Sequence, residues 1–301
     1  MTKILVIGAG AVGSFYGAKL ANAGAEVSIW CRSDYDFIKK NGIKFESYLG
    51  DFNFFPHRVL KNLDEAKDEF DYILVATKVL PNIDICGLLK NILYPKTKIV
   101  LIQNGIHIEK NIAQTFPNNE LISAIAFIAS SRKSIGVVHH QAYGKITIGA
   151  FENKASDAVH FLANLWQNSG VEVEVSDKIL FERWKKLVWN GAFNPLSVVL
   201  RGKNTLEILN NDLAMNLVKN IMKEICELAK ADNCELPADV IEKNIVATQK
   251  MNPYKTSMLL DFEAGRQMEV EAILGNAIKF AKSKSMLTPY LSTIYAIIAN
   301  Y

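Results

Sequence analysis

The sequence is poor in the features that mark secreted, metal-binding and membrane-spanning proteins. Its four cysteines are scattered and show no C-x-x-C spacing, so we expect reduced thiols and no disulfide framework. The histidines show no metal-ligand spacing, and we predict no metal site. No apolar stretch is long enough to span a membrane, and no signal peptide precedes the first predicted strand. These absences favour a cytoplasmic protein with no membrane partner.

Charge is also nearly balanced. The formal net charge is +3 over 301 residues, which is too small to indicate a nucleic-acid partner. Half of the residues are hydrophobic, so a large core can form, and the length suits two domains of ordinary size. Composition is therefore compatible with a small anionic ligand, without pointing to one.

The most specific motif lies within the first thirteen residues. An apolar, β-branched run at 3–7 is followed by Gly-Ala-Gly-Ala-Val-Gly at 8–13 and then by a helix-forming sequence. Strand, G-x-G-x-x-G and helix stand in the order of a dinucleotide-binding βαβ unit. Gly8 allows a tight turn, Gly10 leaves room for a pyrophosphate, and Gly13 lets the helix lie close to the strand.

The start of that helix would bind the phosphates through its free N–H groups and its partial positive charge. A glycine-rich turn in some other α/β protein is the alternative interpretation. The cofactor-binding residues predicted here are Gly8, Gly10, Ala11, Val12 and Gly13.

The end of the second predicted strand, 26–30, indicates which dinucleotide is bound. An acidic residue at this position would favour NAD by accepting from the ribose hydroxyls, whereas a cation would attract the 2′-phosphate of NADP. The strand is followed by Cys31-Arg32-Ser33, with no acid at its tip. We therefore predict NADP(H) as the cofactor; the alternative is that Arg32 is an ordinary solvated residue.

Strands and helices alternate through the first half of the chain. Near-continuous apolar runs at 71–76 and 98–102 predict strands covered on both faces. We predict helices near 80–93, 106–116 and 155–169, and later strands at 121–129, 135–141, 145–149 and 171–175, some of them antiparallel and at the sheet edge. After residue 177 only helical patterns follow. The predicted fold is an α/β Rossmann-type domain at 1–177 followed by an all-helical domain at 178–301.

One helical segment of the second half, 184–194, carries a polar stripe. Lys186, Asn190 and Asn194 follow one another at i, i+4 and i+8 and share a face. The rest of the segment is largely apolar, which is typical of a buried helix. A partly desolvated lysine has a lowered pKa and can donate a proton. The same spacing also suits an unremarkable surface stripe.

A second helical stretch is predicted at 257–273. Ser257, Asp261, Gly265 and Glu269 recur in steps of four, which would keep them on one side of a helix. Ser257 could donate to a substrate carboxylate and Glu269 could accept from a hydroxyl. For Asp261 and Arg266, the alternative to a role in the site is a structural one, in which each pairs with a neighbouring charge.

Together these residues resemble the ketopantoate reductase (2-dehydropantoate 2-reductase) family from end to end. The resemblance rests on the glycine motif at 8–13, Arg32, Ala76-Thr77-Lys78, Gln103-Asn104-Gly105, Trp184-Lys185-Lys186-Leu187, Asn190, Asn194-Pro195, Ser257-Met258, Asp261, Gly265-Arg266, Glu269 and Thr288-Pro289. It implies NADPH-dependent reduction of a 2-keto acid, with ketopantoate and pantothenate biosynthesis as the first candidates. It also implies an active site in a cleft between a Rossmann-type domain and a helical domain.

The resemblance implies a role for each matching residue. Lys186 would be the general acid that protonates the carbonyl oxygen as hydride arrives, and Glu269 would orient the substrate. Substrate contacts are implied for Asn104, Asn190, Asn194 and Ser257, and cofactor contacts for Arg32, Lys78 and Asn104.

Three positions depart from the family pattern and leave the substrate open. Tyr254 replaces an asparagine, His107 stands where glycine is frequent, and Met268 stands where threonine is usual. We interpret His107 as a loop or helix-start residue and not as a catalytic base. The alternatives are a related 2-keto or 3-hydroxy acid dehydrogenase and a non-catalytic NADP-binding regulator. Apolar residues of the C-terminal helices could form a homodimer interface or only the core.

Overall fold

Two units, each with its own cluster of buried apolar side chains, make up the computed structural model, which describes residues 1–67, 69–152 and 154–301. Unit 1 comprises Met1–Lys78, Ile83–Gln103 and Glu109–Ile179. Unit 2 comprises Val79–Asn82, Asn104–Ile108 and Leu180–Tyr301. Two short segments from the first half of the chain therefore group with the C-terminal helices.

Unit 1 is built on a ten-stranded sheet with helices between its strands. Its elements are β1 (Lys3–Ile7), α1 (Ala11–Asn22), β2 (Glu26–Trp30), α2 (Tyr35–Asn41), β3 (Ile43–Ser47), β4 (Phe52–Phe54), β5 (Arg58–Leu60), β6 (Tyr72–Val75), α3 (Ile85–Leu89), β7 (Lys98–Leu101), α4 (Lys110–Thr115), β8 (Leu121–Ser134), β9 (Val137–Ala150), α5 (Asp157–Asn168) and β10 (Val173–Val175), with a 3-10 turn at Leu63–Glu65. The strand order is β4-β3-β9-β8-β7-β6-β1-β2-β5, and β10 pairs with β9.

The six strands from β5 to β8 are parallel, which confirms the predicted α/β fold class. Residues 4–7 of β1 are completely buried, as expected for a central parallel strand that is covered on both faces. The strand order reverses between β1 and β6, and ligands of such sheets bind at the carboxyl ends of the strands there. The residues that follow β1, β6 and β7 share this edge.

The outer part of the sheet differs from the prediction. The strands expected at 135–141 and 145–149 form one strand, β9, which pairs with β8 across several register irregularities. We expected these strands at the edge of the sheet, which was wrong: β9 lies inside the sheet, because β3 and β10 also pair with it. The helices expected near 80–93 and 106–116 are reduced to the short α3 and α4.

In the described part of unit 2, every regular element is helical, as predicted. The elements are α6 (Ile179–Val199), α7 (Thr205–Leu209), α8 (Asp212–Ala231), α9 (Val240–Lys250), α10 (Ser257–Glu263), a π-helical turn (Glu271–Gly275), α11 (Asn276–Ser283) and α12 (Pro289–Ile298). Helix α6 carries the polar stripe, and most of its other side chains are buried. Among all described residues, no helix combines the length and apolarity needed to cross a membrane.

The predicted continuous helix at 257–273 was wrong. Helix α10 ends at Glu263, Gly265 has a φ of +61°, and helical structure resumes only at Val270. A glycine in the left-handed region terminates a helix, because it allows the chain to turn away without a Cβ clash. Ser257 and Glu269 therefore do not lie on one helix face.

Candidate active site

The turn after β1 has the backbone that a dinucleotide-binding loop needs. Gly8 has a φ of +106°, and a Cβ there would lie 2.8 Å from the Thr77 backbone N. At Gly13 a Cβ would lie 2.7 Å from the Ala76 Cβ. Both positions therefore require glycine, because a side chain would separate α1 from the ends of β1 and β6.

Gly10 is different, since no atom lies within 4 Å of the position of its absent Cβ. It is the N-cap of α1, with no side-chain cap and no acidic residue in the first turn. The first N–H groups of a helix have no partners within that helix and attract anions. This open, uncapped helix start over Ala11 and Val12 fits the pyrophosphate of a dinucleotide.

The end of β2 presents one exposed cation. The Arg32 guanidinium lies 6.0 Å from the centre of the Trp30 ring, and the side chain is exposed. Sequence reasoning missed Asp34, the buried N-cap of α2, whose carboxylate accepts from Ser33 Oγ at 2.8 Å and pairs with Arg132 at 2.5 Å. Its pairing with Arg132 offsets the negative charge of the carboxylate.

The carboxyl ends of β6 and β7 are joined by side-chain hydrogen bonds. Gln103 Nε2 donates to the Thr77 carbonyl at 2.8 Å and to Thr77 Oγ1 at 3.2 Å. The half-buried Lys78 follows directly, and so lies at the same edge of the sheet as Gly8. The cofactor contact expected of Lys78 stays a prediction.

Within unit 2, three of the predicted site residues form one hydrogen-bonded group. Lys186 Nζ donates to Asn104 Oδ1 at 2.9 Å, and Asn104 Nδ2 donates to Glu269 Oε2 at 3.3 Å. The other carboxylate oxygen, Glu269 Oε1, accepts from the Val79 backbone N–H at 3.0 Å. Asn104 thus bridges an ammonium and a carboxylate, and both ends of the bridge are fixed.

The environment of Lys186 makes it a better proton donor than an ordinary lysine. Its pKa is lowered from 10.5 to about 8, mainly by burial and also by the nearby Arg183 guanidinium, while the Glu269 carboxylate acts in the opposite direction. Arg183, itself buried, donates from Nη1 to the Gly105 carbonyl at 3.2 Å. Sequence reasoning missed Arg183, although its i, i+3 spacing from Lys186 places it on the same side of α6.

The other predicted substrate residues lie outside this hydrogen-bonded group in the described chain. Asn190 and Asn194 occupy α6 one and two turns beyond Lys186, and Asn194 is buried. Ser257 begins α10 with an exposed side chain, next to the N-cap Thr256. Asp261 pairs with Arg266 Nε at 3.0 Å, which confirms the alternative of a structural charge pair.

His107 is a loop residue before α4, as interpreted from the sequence. Its Nε2 lies 2.7 Å from Asp232 Oδ2, and its backbone φ is +56°. Elsewhere, no cluster of three or more His, Cys, Asp or Glu residues that could hold a metal ion occurs among the residues that the structure describes.

The comparisons with known proteins cover the whole chain. Two family models match: "Ketopantoate reductase PanE/ApbA" over residues 4–153 and "Ketopantoate reductase PanE/ApbA C terminal" over residues 178–301. A 2-dehydropantoate 2-reductase of Nostoc sp. is 34% identical, over 97% of this chain and 93% of the relative. One from Pyrococcus horikoshii is 28% identical, over 98% and 96% of the two chains.

Solved structures agree with these sequence matches. The 2-dehydropantoate 2-reductase of Methylococcus capsulatus superposes with a TM-score of 0.93 and 45% identity, covering 99% of this chain and 96% of the other. That of Geobacter metallireducens has a TM-score of 0.93 and 30% identity, over 99% of both chains. A D-mandelate dehydrogenase solved with NADH has a TM-score of 0.88 at 23% identity, over 99% of this chain and 97% of the other. At this identity the similarity shows the fold alone.

Proposed function

The chain belongs to the ketopantoate reductase family, and from this premise we propose that it reduces 2-dehydropantoate to pantoate with NADPH. The reaction would make it an oxidoreductase of pantothenate biosynthesis. The observation that carries the proposal is the half-buried Lys186, held by Asn104 and with its pKa lowered to about 8.

Lys186 has the charge and acidity that the reduction requires. With a pKa of about 8, about nine in ten of these side chains are protonated at pH 7. Reduction of a keto group builds negative charge on the carbonyl oxygen, which an adjacent ammonium stabilises and then protonates. Acid catalysis of this kind contributes about two to four orders of magnitude in rate.

Asn104 and Glu269 orient the proton donor and the substrate. Asn104 accepts a hydrogen bond from the Lys186 ammonium, and we assign to the Glu269 carboxylate the role of accepting from a substrate hydroxyl. We assign carboxylate binding to the exposed Ser257 hydroxyl, and further substrate contacts to Asn190 and Asn194.

The residues of unit 1 would hold the cofactor. When bound, NADPH supplies the hydride equivalent for the keto carbon. The uncapped helix start over residues 10–13 would hold its pyrophosphate, Arg32 its 2′-phosphate, and Lys78 the nicotinamide end. NADPH in preference to NADH is favoured by the neutralised Asp34 and the exposed Arg32.

The test is NADPH consumption with 2-dehydropantoate, run beside NADH and a panel of 2-keto acids. We expect turnover of 2-dehydropantoate with NADPH, loss of at least about a hundredfold in Lys186→Ala, and normal turnover in the control Lys185→Ala, whose side chain is exposed. Faster turnover of another keto acid would show that 2-dehydropantoate is not the preferred substrate. Cofactor binding with no oxidation by any acid of the panel would favour a regulator and refute the proposal.

We further propose a homodimer, and domain limits at 1–177 and 178–301. A Staphylococcus aureus structure of 21% identity and a TM-score of 0.81, over 99% and 98% of the two chains, is described as a dimeric ketopantoate reductase. Equilibrium ultracentrifugation of this chain would decide the first proposal, since a monomer at micromolar concentration contradicts it. Limited proteolysis tests the domain limits: first cleavages near residue 177 would support them, and first cleavages far from it would contradict them.

A further inference from the structure

One carboxylate oxygen in unit 2 accepts two partly buried hydrogen bonds that the proposed reaction does not use. Asp232 follows α8 directly as its C-cap residue. Its Oδ2 accepts from His107 Nε2 at 2.7 Å and from Trp184 Nε1 at 2.8 Å. A negative charge at the C-terminal end of a helix is unfavourable, because the helix dipole is negative there. The two donors explain why a carboxylate is stable at this position.

The two donors come from the two elements that supply the Lys186–Asn104 contact. Trp184 stands on α6 two residues before Lys186, and His107 follows Asn104 by three residues in the segment 104–108. Asp232 Oδ2 therefore connects the helix that carries the proton donor to the segment that carries its partner.

His107 is held in a conformation that an isolated chain would avoid. Its φ of +56° is left-handed, which is unfavourable for a residue with a Cβ. Its side chain is only 9% exposed, and its ring meets the rings of Trp184 and Phe280 edge-on, at centroid distances of 5.7 and 5.0 Å. The surroundings impose this conformation, and strain of this kind concentrates at functional sites.

We propose that His107, acting through Asp232 and Trp184, is a positioning residue that sets Asn104 against the Lys186 ammonium. The inference rests on the proposed function, since it assigns His107 a role in the same proton transfer. His107 touches neither reacting group, and its effect passes through the backbone of residues 104–107. A catalytic geometry changed by about 1 Å can lower the rate by about a hundredfold.

The segment has other attachments, which determine how large the effect can be. The Gly105 carbonyl accepts from Arg183, the Ile106 N–H donates to the Ala272 carbonyl at 3.1 Å, and the Ile106 carbonyl accepts from Asn276 Nδ2 at 2.9 Å. These bonds keep the segment attached to unit 2 when His107 is replaced, but they leave its His107 end without the contact to Asp232, so the segment can shift to a limited extent. We therefore expect a folded variant with displaced Asn104, and a fall in kcat of about ten- to a hundredfold with a smaller change in KM.

The experiment compares three variants of the full chain. His107→Gly removes the side chain and suits the left-handed backbone, His107→Gln retains a neutral donor of similar reach, and Asn233→Gly is the matched control. Asn233 is exposed, has a φ of +59° and adjoins Asp232. Two readouts are measured: the kinetics with NADPH and 2-dehydropantoate, and hydrogen exchange at the Ile106 amide, which needs no activity.

We expect faster exchange at Ile106 and reduced kcat in His107→Gly, intermediate values in His107→Gln, and wild-type values in Asn233→Gly. Unchanged exchange in His107→Gly would overturn the proposal. So would faster exchange with an unchanged kcat, because His107 would then support only the fold. If the wild-type chain turns over no keto acid, the proposed function fails, and the exchange rates alone decide whether His107 holds the segment.

Discussion

Replacing Lys186 by methionine should abolish catalysis and stabilise the protein at the same time. Burial lowers the pKa of this ammonium from 10.5 to about 8, and at 1.36 kcal/mol per pKa unit the difference is about 3 kcal/mol of destabilisation at neutral pH. Methionine has a similar length and no charge. It loses the hydrogen bond that the charged ammonium donates to Asn104, worth at least about 1.5 kcal/mol, so we expect a net gain of up to about 2 kcal/mol in the free energy of unfolding.

The gain should depend on pH in a defined direction. Below pH 8 the lysine is protonated in both the folded and the unfolded chain, so the full destabilisation is present. Between pH 8 and 10.5 the unfolded chain binds more protons than the folded one, and the stability of the wild-type protein rises with pH. At pH 9.5 about 1 kcal/mol of the destabilisation remains, and the advantage of Lys186→Met should be close to zero.

Urea unfolding at pH 7 and pH 9.5, followed by circular dichroism, measures both values. Lys185→Met is the matched control, because Lys185 is exposed and pairs with Glu182 at 3.2 Å; it should change stability by no more than about 1 kcal/mol. NADPH oxidation by Lys186→Met should fall at least about a hundredfold. A variant less stable than the wild type at pH 7, or a gain that is equal at both pH values, would refute the reasoning.

Three further predictions concern the cofactor loop and the carboxylate. Arg32→Ala should reduce the preference for NADPH over NADH at least about tenfold, measured as the ratio of kcat/KM values; an unchanged ratio would exclude Arg32 from the 2′-phosphate site. Gly10→Ala should change unfolding by no more than about 1 kcal/mol, since its Cβ has open space, yet weaken NADPH binding at least about tenfold by calorimetry. Normal affinity would contradict a pyrophosphate at this helix start. In Glu269→Gln the side chain can accept hydrogen bonds at only one oxygen, so the free energy of unfolding should fall by about 1–3 kcal/mol and kcat should also fall. Wild-type stability in urea together with a wild-type kcat would contradict the role assigned to Glu269.

Local sequence patterns predicted the inner sheet well. The bounds of β1 and β2 agree with the prediction, and the apolar runs at 71–76 and 98–102 contain β6 and β7. These strands are buried on both faces, so their residues are apolar without interruption and the signal is strong. The short outer strands β3, β4 and β5 were missed, because their polar and aromatic residues lack that uninterrupted run.

The helical stripe at 257–273 failed for a local reason that the sequence contains. Gly265 lies at the point where helix α10 turns away, and a glycine after a helical pattern is a stop signal. Spacing in steps of four was given more weight than this glycine. The stripe on α6 also contains a glycine, Gly191, and a proline, Pro195, but the helix continues through both, and Lys186, Asn190 and Asn194 do share one helix.

The pairing of Lys186 with Asn104 is tertiary, and neither local pattern contains it. Asn104 follows a strand of unit 1, yet its contacts place it with unit 2, where Lys186, Glu269 and the Val79 backbone surround it. A contact between positions 82 residues apart leaves no periodic trace in either segment. Because the segment 104–108 packs within the helical unit, substitutions in it should alter the proton donor while leaving the dinucleotide turn unchanged. Unchanged hydrogen exchange over residues 8–13 in His107→Gly would fit this separation, and faster exchange there would contradict it.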